Sequence, residues 1–189
     1  MRTISGWIVA VALWALQAGL AFAAERPTEW AQPVVLEGVP NLHRVTSTLY
    51  RSAQPSATGM RNLERLGTRT VINLRAFHSD RDEIDGIALL NPQLRIRTWK
   101  IQDQQVIQVL RMLRQPEQGP FLIHCQHGAD RTGLMNAMYR IVEQGWTKEA
   151  AIREMVEGGY GYHAIWRNII RYIEEADIGK IRAAVQATP

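Results

Sequence analysis

The chain has 189 residues, 46% hydrophobic and 21% charged, which is enough to bury one ordinary core and excludes a disordered or fibrous protein. Its 22 Lys and Arg against 18 Asp and Glu leave a net charge of +4. That excess is scattered and too small to argue for nucleic acid, although a mildly basic surface suits acidic or phosphorylated partners. The single cysteine, Cys125, excludes an internal disulfide and needs another reason to be there.

Arg2 precedes the uncharged run "ISGWIVAVALWALQAGLAFA", which ends in small residues at Ala21 and Ala23. A basic start, an apolar stretch and that ending predict a secretory signal peptide over residues 1–23, cut before Ala24. The alternative is an uncleaved membrane anchor, and only then does the membrane become a partner. Either way the folded part is expected outside the cytoplasm, in a bacterial periplasm. Residues 24–40 hold three prolines and read as an extended lead-in.

The elements then alternate. "TLYRS" reads as a short strand. "SATGMRNLERLG" spaces Met60, Leu63 and Leu66 as a helix does, with Gly67 as its stop. "RTVINLR" is a β-branched run that predicts a buried strand, and "HSDRDE" a charged, solvated loop. "IDGIALLN" suggests a short helix stopped by Pro92, and "LRIRTWKI" alternates like a strand. Asp103 stands as N-cap of a helix that shows Val106, Val109, Leu110 and Leu113 on one face. "GPFLIHC" is a short apolar strand, and "RTGLMNAMYRIVEQG" a helix whose Met135 and Met138 face the core. Thr147 caps "KEAAIREMVE", and Ile165, Ile169, Ile170 and Ile173 form the stripe of a last helix. Residues 179–189 read as a C-terminal tail. Alternating strands and helices predict a single α/β domain over 41–178, with a mostly parallel central sheet flanked by helices. In such sheets ligands bind at the carboxyl ends of strands.

"HCQHGADRTG", residues 124–133, falls at such an end. The loop from Cys125 to Arg131 is long enough to wrap a tetrahedral oxyanion, with the backbone N–H groups of Gln126, His127, Gly128, Ala129 and Asp130 turned inward. The helix beginning near Thr132 adds its positive end. Arg131 can hold two phosphate oxygens at once, and Gly128 can supply a positive φ. The same field favours the thiolate of Cys125, a nucleophile for a bound phosphate that leaves a phospho-cysteine for water to hydrolyse. His124 reads as a support for the loop, and Thr132 as a donor to the departing sulfur.

This stretch resembles the signature of the cysteine-dependent phosphatases, the tyrosine and dual-specificity group. With "LYRSAQP", "TVINLR", "MYRIVEQGW" and "EMVEGGYGYH" the resemblance covers about residues 41–178 and is similar to small exported bacterial phosphatases. It implies a dual-specificity-like α/β domain, metal-free hydrolysis with no cofactor, Cys125 as nucleophile and Arg131 as phosphate clamp. The implied partner is a phosphorylated protein or peptide carrying phosphotyrosine, with phosphoserine and phosphothreonine also open. A phosphoinositide or inositol phosphate is the alternative substrate. A rhodanese-like sulfurtransferase and an inactive phosphate-binding module remain as other readings.

The leaving oxygen needs a proton, and a carboxylic acid serves. The resemblance implies an Asp on a loop upstream of the nucleophile, which makes Asp103 the first choice, and the likeness of "GADR" to the loop of some lipid phosphatases makes Asp130 the alternative. Asp80, Asp82 and Glu83 form a third candidate set, although a charge run in a loop is ordinarily solvated. Arg75, Trp99, Lys100, Tyr160, Tyr162, His163 and His127 have milder claims on the pocket wall. No His, Cys and Asp residues follow one another at metal-ligand spacing, so no metal is expected.

Overall fold

The computed structural model describes residues 26–187, so the signal-peptide reading lies outside the described residues. Its frame is a six-stranded sheet: β1 (Gln32–Pro33), β2 (His43–Arg44), β3 (Leu49–Ser52), β4 (Thr70–Arg75), β5 (Gln93–Ile96) and β6 (Phe121–His124). The spatial order is β1-β2-β3-β6-β4-β5. β3, β6, β4 and β5 run parallel, and β1 and β2 add an antiparallel edge. The expected α/β class and mostly parallel sheet are therefore present.

β4 and β6 are each flanked by parallel strands and are buried on both faces, in keeping with their largely apolar runs. Their period of two sends side chains to separate cores. Val71 and Leu122 join Met60 and Leu63 of α1 (Ala57–Arg65) on one face. Ile72, Leu74, Phe121 and Ile123 face the larger core on the other. That core is roofed by α2 (Asp103–Leu113), α3 (Asp130–Val142), α4 (Lys148–Glu157), α5 (Arg167–Glu175) and α6 (Ile178–Gln186). Ser56 and Thr147 cap α1 and α4, their side chains accepting from the N–H groups of Gly59 and Ala150 at 3.1 Å. No helix among the described residues is long and apolar enough to cross a membrane.

Several expectations are corrected. Residues 84–91 form no helix: Ile84 N–H donates to Asp80 O and Ile87 N–H to Ile84 O at 3.0 Å, Leu90 bridges to Thr70, and Ile84, Ile87 and Leu89 pack into the smaller core. β5 stops at Ile96, because Arg97 to Lys100 folds into a turn, with Lys100 N–H donating to Arg97 O at 2.9 Å. The cap of α2 is Gln102, whose N–H donates to Gln105 Oε1, and Asp103 is the first helical residue. Ile165 precedes α5 and is exposed, so only Ile169 and Ile173 of the predicted stripe are fully buried. The lead-in is part of the domain from Ala31 onward: Ala31 is buried, its N–H donates to Glu154 Oε1 at 2.7 Å, and β1 extends the sheet. Most of the stretch read as a tail is α6, which buries Ile181 and Val185.

Candidate active site

β6 ends between β3 and β4, with His124 paired in register to Ser52 and Asn73. The chain leaves the sheet at Cys125, almost wholly buried, and re-enters regular structure as α3 at Asp130. Three successive carbonyls of the connecting loop are bound from outside. Gln126 O accepts from Gln54 N–H at 3.2 Å, His127 O from Asn41 Nδ2 at 2.9 Å, and Gly128 O from Arg51 Nη2 at 2.7 Å. Carbonyls pinned outward turn their peptide N–H groups the other way. None of the N–H groups of Gln126–Ala129 donates to a protein acceptor among the described residues. With the N-terminus of α3 beside them, these unused groups are free to meet an anion.

Gly128 is the pivot, at φ 69°. A Cβ there would lie 2.5 Å from Ala53 N and from Ser52 C, so both the turn and the close approach of β3 demand glycine. Arg51 braces the loop from behind. It is 1% exposed, and its guanidinium lies 3.6 Å over the Tyr160 ring. Burial brings its pKa down to about 10, opposed by Tyr160 and Glu154.

His124 points to the sheet face opposite Cys125, where its Nε2 meets Asp80 Oδ2 at 2.8 Å with both side chains fully buried. Asp80 also accepts from Asn73, Gln54 and Asn91 at 2.9–3.0 Å. Burial pushes this carboxyl up, and the hydrogen bonds, led by His124, outweigh it and hold it below the usual carboxylate range. Asp80 is therefore an internal anchor of the loop, which corrects its reading as part of a solvated run. Asp82 is exposed, and Glu83 Oε1 pairs with His78 at 3.1 Å.

Two hollows open beside Arg131. One, of about 160 Å³, lies between Arg131, Gln126, Arg75, Phe77, Thr98 and Trp99. The other, of about 290 Å³, lies between Arg131, Gln126, His127, Asp130, His163 and Trp166. Arg75 thus lines the site as well as ending β4; burial, then the neighbouring Arg131, push its guanidinium down. Phe77, Trp99 and Ile165 stand exposed on the rim, whereas Tyr160 is core and donates to Glu154 Oε1 at 3.1 Å. Tyr162 donates to Trp166 O at 2.6 Å. Thr132 Oγ1 is buried without a partner among the described residues.

The two candidate acids are separated. Asp130 is at the mouth of the loop, where Oδ1 accepts from His163 N–H at 3.0 Å and Oδ2 meets His163 Nδ1 at 2.9 Å. Asp103 lines a different hollow with Tyr172, Glu175 and Lys180, and its Oδ1 accepts from the Tyr172 hydroxyl at 2.9 Å. The structure does not bring Asp103 together with Cys125 and Arg131. The early end of β5 and the turn after it separate Asp103 from the sheet end.

Arg51, Asn41 and Asn73 escaped the sequence reading, and Asp80 was named there only within a charge run. Arg51 in "LYRS" and Asn73 in "TVINLR" carried a signal, a polar residue in an apolar run, because a buried polar group must find a partner.

Comparison with known proteins agrees with this geometry. A family model described as "DSP-PTPase phosphatase fused to NAD+ Kinase" matches residues 36–164. The dual specificity protein phosphatase TpbA of Pseudomonas aeruginosa (strain UCBPP-PA14) is 41% identical over 164 residues, which cover 86% of this chain and 74% of TpbA. A crystal structure of a cysteine-to-serine TpbA in complex with pTyr superposes with a TM-score of 0.78 at 38% identity, covering 86% of this chain and 99% of that one. The inositol diphosphatase DSP5 of Arabidopsis thaliana is 26% identical over 159 residues, 78% of this chain and 75% of DSP5. By the extent of the family match and the identity to TpbA, the chain belongs to the dual-specificity (DSP-PTPase) family of cysteine-dependent phosphatases and is a phosphoric monoester hydrolase.

Proposed function

We propose that the enzyme removes phosphate from phosphotyrosine in proteins or peptides outside the cytoplasm, with Cys125 as nucleophile, Arg131 as phosphate clamp and Asp130 as general acid. The observation that carries the substrate assignment is the apolar rim. Phe77, Trp99 and Ile165 stand exposed around an anion nest, where they offer an aryl ring a surface that a short seryl side chain would not reach.

In the first step Sγ attacks phosphorus, the S–P bond forms, and the bond to the tyrosyl oxygen breaks as Asp130 gives that oxygen its proton. The nest of N–H groups and Arg131 hold the equatorial oxygens as charge develops. In the second step water attacks phosphorus and passes a proton to Asp130. The S–P bond breaks, and we assign the buried, unpartnered Thr132 hydroxyl as the donor to the departing thiolate. The location outside the cytoplasm rests on the composition of residues 1–23. Cell fractionation tests it, and a cytosolic enzyme would refute it.

A second substrate class has one observation in its favour. Arg75 beside Arg131 offers a second guanidinium, which suits an inositol phosphate carrying neighbouring phosphates. The deciding experiment is steady-state hydrolysis of phosphotyrosyl, phosphoseryl and inositol phosphate substrates in EDTA, with Cys125→Ser as control. The expected order puts the phosphotyrosyl peptide first, with no turnover by Cys125→Ser. Preference for the inositol phosphate would transfer the assignment to the second class. Full activity of Cys125→Ser would overturn the mechanism.

A further inference from the structure

His127, Asp130 and His163 have no metal-ligand spacing along the chain, yet the fold gathers them. One nitrogen or oxygen from each lies within 4.8 Å of those of the other two. We infer that these three side chains form a zinc-type divalent metal site at the mouth of the phosphate loop, and that a metal held there reversibly inhibits the enzyme.

The donor set is two imidazoles and one carboxylate, a common zinc trio that leaves a fourth position open. It does not suit calcium or magnesium, which take oxygen ligands. The backbone beneath the trio is held in place. Asn41 Nδ2 donates both to His127 O and to Tyr160 O at 2.9 Å, which ties the phosphate loop to the stretch that carries His163. Asn41 itself sits at φ 55°, an uncommon conformation for a residue other than glycine. Asp130 is fixed as the first residue of α3 and by the His163 N–H. The two rings, with centroids 5.3 Å apart and planes tilted 56°, are not stacked on each other. Both histidines are exposed, so solvent metal can reach them.

A second cluster, His78, Asp80 and Glu83, is a useful contrast. Both oxygens of its Asp80 already accept from side-chain amides, and one also meets His124. The Asp130 carboxylate accepts only from His163 among the described residues, and the Nδ1 contact is the one a metal would replace. Arg131 lines the same hollow and lowers the affinity for any cation. The same proximity puts a bound metal across the path of the substrate and on the carboxyl proposed to supply the proton. Inhibition therefore rests on the mechanism proposed above, whereas binding does not.

The test separates the two. Zinc binding is titrated calorimetrically into the Cys125→Ser protein, in which the thiolate cannot serve as the ligand. One zinc per chain is expected, with affinity reduced about tenfold or more in His127→Gln and in His163→Gln. Because both side chains are exposed, the variants should melt with their parent. No binding to Cys125→Ser, or unchanged affinity in both histidine variants, overturns the site. In the active enzyme, zinc inhibition should be reversed by EDTA and weakened in His163→Gln by the same factor as binding. Binding without inhibition would overturn the inhibitory role alone.

Discussion

Asp130 and Asp103 carry the same functional group and differ in what surrounds it. Asp130 faces the hollow that Arg131 lines, and Asp103 faces Tyr172. Asp130→Asn is expected to lower kcat for phosphotyrosine by about 10²–10⁴-fold. The loss should be much smaller for p-nitrophenyl phosphate, whose leaving group needs little protonation. Asp103→Ala should leave kcat unchanged and cost about 1 kcal/mol in urea unfolding through the Tyr172 hydroxyl. Steady-state kinetics on both esters check this, and a large kcat loss in Asp103→Ala would exchange the roles. Cys125, Gly128 and Arg131 were legible from sequence because their task is set within one short loop. Arg51, Asn41 and Asp80 were not, because each acts on that loop from a distant part of the chain.

At the scale of elements, the strand–loop–helix unit of β6 and α3 followed from local pattern, as did the spacing of α1 and the capped start of α4. Errors fell where a pattern continued past the element or a short one lacked strong punctuation. "LRIRTWKI" alternates from Leu94 to Arg97 and resumes out of phase at Trp99, and pairing with β4 ends at Ile96. The signal for α6 was present: Asp177 caps it, accepting from Lys180 N–H at 2.9 Å, and Ile178, Ile181 and Val185 follow at helical spacing. α6 packs its apolar face into the larger core, where Ile181 is fully buried. Ile181→Ala should therefore cost about 2–5 kcal/mol by urea titration, whereas a loose tail would cost nothing measurable.

Over the whole molecule, two buried carboxylates link stability to pH. Asp80 ties the loops after β3 and β4 to His124. Glu154 joins the N-terminal segment to α3 and α4, accepting from Ala31 N–H, from Arg140 at 2.8–3.0 Å and from Tyr160. Burial pushes the Glu154 carboxyl up, but hydrogen bonding and charge, Arg140 first, bring it below the usual range. Both groups are thus depressed in the folded state, so the unfolded chain binds more protons in acid. Their contribution is present above the unfolded value of about 4 and is lost as pH falls through the lower folded values. Tm should hold from neutrality to about pH 5 and then drop. Glu154→Gln should begin lower and fall less steeply, and parallel curves for the two proteins would refute the linkage.

The sequence alone determined the loop from Cys125 to Arg131, with the nucleophile and clamp we propose in it, and the alternation of strands and helices that sets this loop at a sheet end. Those properties depend on contiguous residues, whose backbone geometry and periodicity act over a few positions. Tertiary structure decided which aspartate faces the loop, that Asp80 is an internal anchor, and that His127, Asp130 and His163 meet. These depend on where β5 stops, how far the chain turns before α2, and which distant polar groups must pair once water is excluded. No local pattern carries that information.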